Sequence, residues 1–180
     1  MKKINVGILI FNEVEVLDFA GPYEVFSRTR LEKGAESRKS NDSAPFKVFT
    51  VSVNDKTIKA TGGLKVISDY TFFNSPKIDI LIIPGGYGTR PLLNNEDVLN
   101  WIKSISNDSE IISSVCTGSL LLAKAGLLDG KRATTHWGAI GALKSINKNI
   151  QVIDNRRIVN DEIITSAGVS SGIDMAFMIV

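Results

Sequence analysis

Ile111-Ile112-Ser113-Ser114-Val115-Cys116-Thr117-Gly118-Ser119-Leu120-Leu121-Leu122-Ala123-Lys124-Ala125-Gly126-Leu127-Leu128 is the stretch from which the rest of the chain is read. It opens with an apolar, β-branched run and closes with helix formers, and the one cysteine of the protein stands at the join, followed by Thr and Gly. That pattern predicts a strand, a sharp turn and a helix. A side chain at such a turn is held above the carboxyl edge of a parallel sheet, near the free N–H groups of the helix start. The expectation is an exposed thiol whose pKa falls from about 8.5 toward neutrality, because the helix dipole favours the thiolate that a sulfur nucleophile needs. The G-x-S-x-G turn of hydrolases follows the same physical logic with a different spelling.

The flanking segments supply the sheet and helices that such a turn requires. Ile4 to Phe11 is continuously apolar, hence a strand buried on both faces as in a parallel sheet. Val16 to Phe26 reads as a helix with Asp18 and Gly21-Pro22 in its opening turns, and Arg28 to Ala44 as a helix end running into a polar surface loop. Phe46 to Val53 alternates like a strand; Asn54-Asp55 is read as a turn that returns Thr57 to Ala60 as the second arm of a hairpin. Leu64 to Ile67 is a short strand. Ile78 to Ile83 is a second buried strand that stops at Pro84-Gly85-Gly86-Tyr87-Gly88, where adjacent glycines let the backbone bend and approach a ligand closely. Glu96 to Ser106 and His136 to Ile146 read as helices, with short strands at Arg132 to Thr134, Ile150 to Ile153, Arg157 to Val159 and Ile163 to Ser166. Val169 starts a last helix that ends in Met175-Ala176-Phe177-Met178-Ile179-Val180 without a polar cap, which fits deep burial, an interface, or truncation at the carboxyl end.

Alternating strands and helices with no repeat or linker predict one domain over residues 1–180: an open, mostly parallel α/β sheet sandwiched by helices, with a small β-hairpin excursion. Sites in such sheets lie at the carboxyl ends of the strands, so Asp18, Gly85, Gly86 and Cys116 are expected to converge there. Composition excludes several function classes. Twenty-one basic against 19 acidic residues give a net charge of +2 with no basic run, so no nucleic acid or membrane partner is expected. One Cys and one His leave no credible zinc set, and no metal or organic cofactor is expected. The lone Cys agrees with a reducing compartment, and the amino terminus lacks a small-residue cleavage site, so a cytoplasmic location is expected.

Each candidate residue also has an ordinary reading. A free Cys is often plain core, but the strand-to-helix position of Cys116 favours a reactive thiol. Asp18 either caps the first helix or hydrogen-bonds the Cys116 sulfur and shuttles a proton. Gly85 and Gly86 either form only a turn or also offer N–H groups to an oxyanion. Thr117 brings a backbone N–H and a hydroxyl. His136 is the only imidazole, a base or a structural residue, and Trp137 is read as packing.

Ile82-Ile83-Pro84-Gly85-Gly86, Ser114-Val115-Cys116-Thr117-Gly118-Ser119 and the spacing between them resemble the ThiJ/PfpI superfamily, over nearly the whole chain. Leu17 to Phe26 and Cys116 through Trp137 look like its isonitrile hydratase group; the same blocks occur in sensor domains of some transcriptional regulators. The resemblance implies a class I glutamine amidotransferase-like, flavodoxin-type fold. It makes Cys116 the nucleophile, Asp18 its acidic partner and Thr117 a neighbour needed for activity, with Gly86 where the family supplies backbone N–H groups. Thr117 stands where the family's proteases carry His, which argues against peptidase activity. The resemblance further implies a homodimer acting on a small molecule, with isonitrile hydration first, glyoxalase-like or amidase chemistry next, and a ligand- or redox-sensing module as the non-enzymatic alternative.

Overall fold

A computed structural model describes residues 2–180. The elements run β1 (Ile4–Leu9), α1 (Val16–Arg28), β2 (Phe46–Ser52), β3 (Thr57–Lys59), β4 (Lys65–Ile67), β5 (Tyr70–Thr71), β6 (Ile80–Ile83), α2 (Thr89–Leu92) and α3 (Glu96–Asp108). There follow β7 (Ile111–Val115), α4 (Gly118–Lys124), β8 (Arg132–Ala133), α5 (Ile140–Ile146), β9 (Gln151–Val152), β10 (Ile158–Asn160), β11 (Ile164–Ser166) and α6 (Ser170–Ile179). Seven strands make the main sheet in the order β10-β11-β7-β6-β1-β2-β5. All neighbours in it are parallel except β10, which pairs antiparallel with β11. Its middle five strands have the flavodoxin order, and the strand order reverses between β1 and β6.

The core explains why the apolar runs became central strands. Val6, Ile8, Leu9, Ile80, Leu81, Ile82 and Ile83 are all buried, with helices covering the sheet. α4 is buried from Gly118 to Ala123, so its Leu120-Leu121-Leu122 run is core on every side, not one amphipathic stripe. Its first glycine is obligatory: a Cβ on Gly118 would lie 2.0 Å from the Ile83 carbonyl oxygen. That close approach locks the start of α4 against the end of β6.

Three expectations are corrected here. β2 does not turn back into β3. It pairs in parallel with β1, from Ile4 opposite Phe46 to Leu9 opposite Val51, and the hairpin is β3 with β4. The single helix expected from His136 is a 3-10 turn over Trp137–Ala139 followed by α5. Trp137 does not pack in the core; it is 82% exposed and leans on the His136 ring with centroids 5.1 Å apart. The apolar end of α6 is divided: Met175 and Ala176 are core, whereas Phe177, Met178 and Val180 are exposed. Among the described residues no helix is long and apolar enough to cross a membrane.

Candidate active site

β1, β6, β7 and β11 deliver their carboxyl ends to one edge of the sheet, next to the point where the strand order reverses. Cys116 directly follows β7, and its N–H continues the ladder by donating to the Ser166 carbonyl at 3.0 Å. The chain must then turn into α4 within two residues. Cys116 does this at φ +56°, left-handed backbone that costs a non-glycine residue on the order of 1–2 kcal/mol. Two hydroxyls hold the strained peptide: Thr135 Oγ1 donates to the Cys116 carbonyl at 3.0 Å and Ser119 Oγ at 3.2 Å.

Asp18 lies in the first turn of α1, but it does not cap that helix. It is fully buried, and its carboxylate accepts two backbone N–H groups from distant segments, Gly85 at 3.0 Å on Oδ2 and Val169 at 3.1 Å on Oδ1. Val169 is itself forced to φ +44°. Strained backbone therefore occurs at Cys116 itself and at Val169, a donor to its partner Asp18.

The electrostatics reverse one expectation. The Cys116 thiol is 7% exposed, and burial, reinforced by the Asp18 charge, pushes it up to about 12. The Thr117 N–H directed at the sulfur works the other way and is outweighed. Burial likewise raises Asp18 from 3.8 to about 6, against the stabilising N–H groups of Gly85 and Val169. At neutral pH the pair thus rests as thiol and carboxylate. The helix-terminus effect on Cys116 is real in sign and smaller than desolvation.

The Gly-Gly turn after β6 is built for close approach. A Cβ on Gly85 would meet the Thr117 nitrogen at 2.5 Å and the Cys116 Cβ at 2.8 Å. Neither N–H of the turn is vacant: that of Gly85 serves Asp18, and that of Gly86 donates to Thr117 Oγ1 at 3.0 Å. The Gly86 carbonyl accepts from Thr89 Oγ1 at 2.8 Å. Thr117 and the buried Thr89 thus clamp the Gly86 peptide, a structural task for the Thr117 hydroxyl that leaves its backbone N–H to the sulfur.

A cleft of about 220 Å³ opens here, lined by Cys116 and Thr117 together with Glu15, Tyr87, Arg90 and His136. His136 reaches this cleft, but its Nδ1 accepts from the Gly138 N–H at 3.2 Å, so a neutral ring carries its proton on Nε2. The structure brings all six sequence-predicted residues to one place. Sequence reasoning missed Thr89, Thr135, Val169, Glu15 and Arg90. The Gly168-Val169 pair just after β11, at the same sheet edge, was the one available signal. Among the described residues no cluster of three or more His, Cys, Asp or Glu side chains could hold a metal.

The pattern that describes the DJ-1/PfpI family matches residues 4–180. Isonitrile hydratase of Pseudomonas putida is 36% identical over 175 residues, 96% of this chain and 69% of that protein. The HTH-type transcriptional regulator GbdR of Pseudomonas aeruginosa is 24% identical over 98% of this chain, which spans only 46% of the regulator. A ThiJ/PfpI family crystal structure from Pseudomonas syringae superposes with a TM-score of 0.83 at 28% identity, covering 99% of this chain and 68% of that one.

Proposed function

This chain belongs to the DJ-1/PfpI family, and from that premise we propose that it hydrates a small organic isonitrile to the N-substituted formamide, with Cys116 as nucleophile and Asp18 as proton carrier. The observation that carries the reading is the buried pair itself: a thiol raised to about 12 beside a carboxyl raised to about 6. A carboxyl poised near 6 can both take and give a proton near neutral pH.

A thiol at about 12 is no preformed thiolate, so Asp18 accepts its proton as the sulfur attacks the terminal isonitrile carbon. An S–C bond forms, and the protonated Asp18 returns its proton to that carbon, giving a thioimidate on Cys116. The Thr117 N–H, already directed at the sulfur, stabilises the charge that develops there. Asp18, again a carboxylate, deprotonates a water that adds to the thioimidate carbon. The C–S bond breaks, nitrogen is protonated, and formamide and thiol are released. The net change is addition of one water, so the cycle needs no oxidant or reductant. Thr117, Thr89 and Gly86 hold the turn against which the reaction runs, and His136 borders the space the substrate occupies. The buried thiol and the absence of His after Cys116 support small-molecule over peptide chemistry.

The likeness to a regulator favours one second reading, a ligand-sensing module in which the same cleft binds without turnover. Formamide production from cyclohexyl isocyanide by wild type and Cys116→Ala separates the two. Turnover lost in the variant supports hydration; no turnover by wild type, with tight binding of a small ligand, supports sensing. A second copy of this chain is the proposed partner, supported by exposed Leu17 and Tyr23 on α1 and Phe177 and Met178 on α6; sedimentation as a monomer at micromolar concentration rejects it.

A further inference from the structure

Among the described residues, Arg90 is the one Lys or Arg side chain lining the Cys116 cleft. It is exposed and takes part in none of the ion pairs among the described residues. It is nevertheless held in place: its guanidinium lies 4.6 Å from the centroid of the Tyr87 ring, and Nη1 donates to the Gly86 carbonyl at 3.2 Å. A guanidinium has five N–H donors in a rigid fork matched to carboxylate geometry. Among the described residues only one acceptor, the Gly86 carbonyl, is given to that fork. A charged fork fixed by stacking and left largely unpaired beside a nucleophile is a recognition element in search of an anion.

We propose that Arg90 is the specificity-determining residue of this cleft, selecting a small electrophile that carries a carboxylate within a few bonds of its reacting carbon. The other lining groups fix the charge of the ligand. His136 offers a second donor through Nε2, because Nδ1 accepts from Gly138. Glu15 lines the same cleft and its charge reaches Asp18, so a second negative charge is repelled. A monoanion is favoured over a phosphate dianion, and the small cleft limits the rest of the molecule. On the hydratase reading, on which the choice of reaction rests, the substrate class is the α-isocyano carboxylates, with the carboxylate on Arg90 and the isonitrile carbon at the Cys116 sulfur.

The test uses two near-isosteric alkylating agents, iodoacetate and iodoacetamide, and needs no turnover. In each, the Cys116 sulfur displaces iodide, an S–C bond forms, and the thiol proton leaves through Asp18 to water. Cys116 is the only cysteine, so intact mass reads this one site. The readout is the ratio of the iodoacetate rate to the iodoacetamide rate, divided by the same ratio for N-acetylcysteine, which cancels any change in thiol reactivity. The expected wild-type ratio is about fivefold above one, the size of a partly solvated charge pair. Arg90→Gln brings it to one or below, Arg90→Lys keeps part of it, Glu15→Gln raises it, and added salt lowers it. A ratio unmoved by Arg90→Gln overturns the assignment. If isonitriles are not turned over while the ratio follows Arg90, the anion site stands and the hydratase reading falls; if they are turned over while the ratio is flat, the reverse holds.

Discussion

Asp18 and Asp79 are both buried aspartates that accept backbone N–H groups, yet their titration moves in opposite directions. Asp79 sits at the amino edge of the sheet just before β6, accepting the Asn5 N–H at 2.9 Å with Lys77 at 3.1 Å, and these hold its carboxyl below the ordinary range. Asp18 sits at the carboxyl edge with two N–H donors and no cation; burial wins and lifts it to about 6. Two backbone donors do not offset the desolvation of Asp18, whereas the Asn5 N–H, aided by Lys77, outweighs that of Asp79. The deeper desolvation is what leaves Asp18 able to exchange a proton near neutral pH.

The comparison breaks first in catalysis. Asp18→Asn is expected to lower turnover of cyclohexyl isocyanide by about a thousandfold, the scale of a lost acid–base group, with the fold retained; Asp79→Asn should leave turnover near wild type. Equal losses in the two variants would make the contrast one of fold, not function. For wild type, kcat/KM should rise with pH through an inflection near 6, as Asp18 ionises and can take the thiol proton.

Stability provides the next test. A carboxyl raised from 3.8 to about 6 contributes stability below 3.8 that disappears as pH rises through 6. Relative to Asp18→Asn, wild type should therefore lose up to roughly 3 kcal/mol between about pH 4 and pH 7 in urea melts. Asp79 has the opposite sign: its stability is present above the ordinary carboxylate range and vanishes on acidification. Asp79→Asn should cost about 1 kcal/mol at neutral pH, the size of one weakened hydrogen bond, and less in acid.

An effect of similar size concerns the turn that presents the sulfur. At φ +56°, Cys116→Gly should be more stable than Cys116→Ala by about 1 kcal/mol, the reverse of the ordinary ranking in regular structure. Thermal melts of the two variants check this; Ala more stable than Gly would mean the turn relaxes without the sulfur.

Much of the fold was legible because its central strands are rich in apolar residues with little alternation. Ile80–Ile83 is buried throughout, Ile4–Leu9 over its last four residues and Ile111–Val115 over its last three, and parallel pairing follows. The β2 register was not legible. Asn54-Asp55 looks like a hairpin turn, but across the long loop after α1 the strand pairs with β1 at six positions, whereas its local neighbour β3 is only three residues long. The site was half legible. Cys116, Asp18 and the Gly-Gly turn announce themselves by type and position, whereas the thiol's environment depends on residues far away in the chain. Local reading credits Cys116 with the helix start alone; burial beside Asp18 and under Gly168, where an added Cβ would sit 3.2 Å from the sulfur, sets the outcome. Val169 was signalled only by its place after Gly168 at the end of β11, since its strained backbone is what directs its N–H to Asp18.

The most direct measurement is intact-protein mass after rapid acid quench of wild type during turnover of cyclohexyl isocyanide. The expected result is a transient species heavier by one isocyanide, located on the Cys116 peptide and absent from Cys116→Ala. Formamide accumulating with no mass added to the sulfur, or undiminished turnover by Cys116→Ala, would contradict nucleophilic catalysis by this thiol.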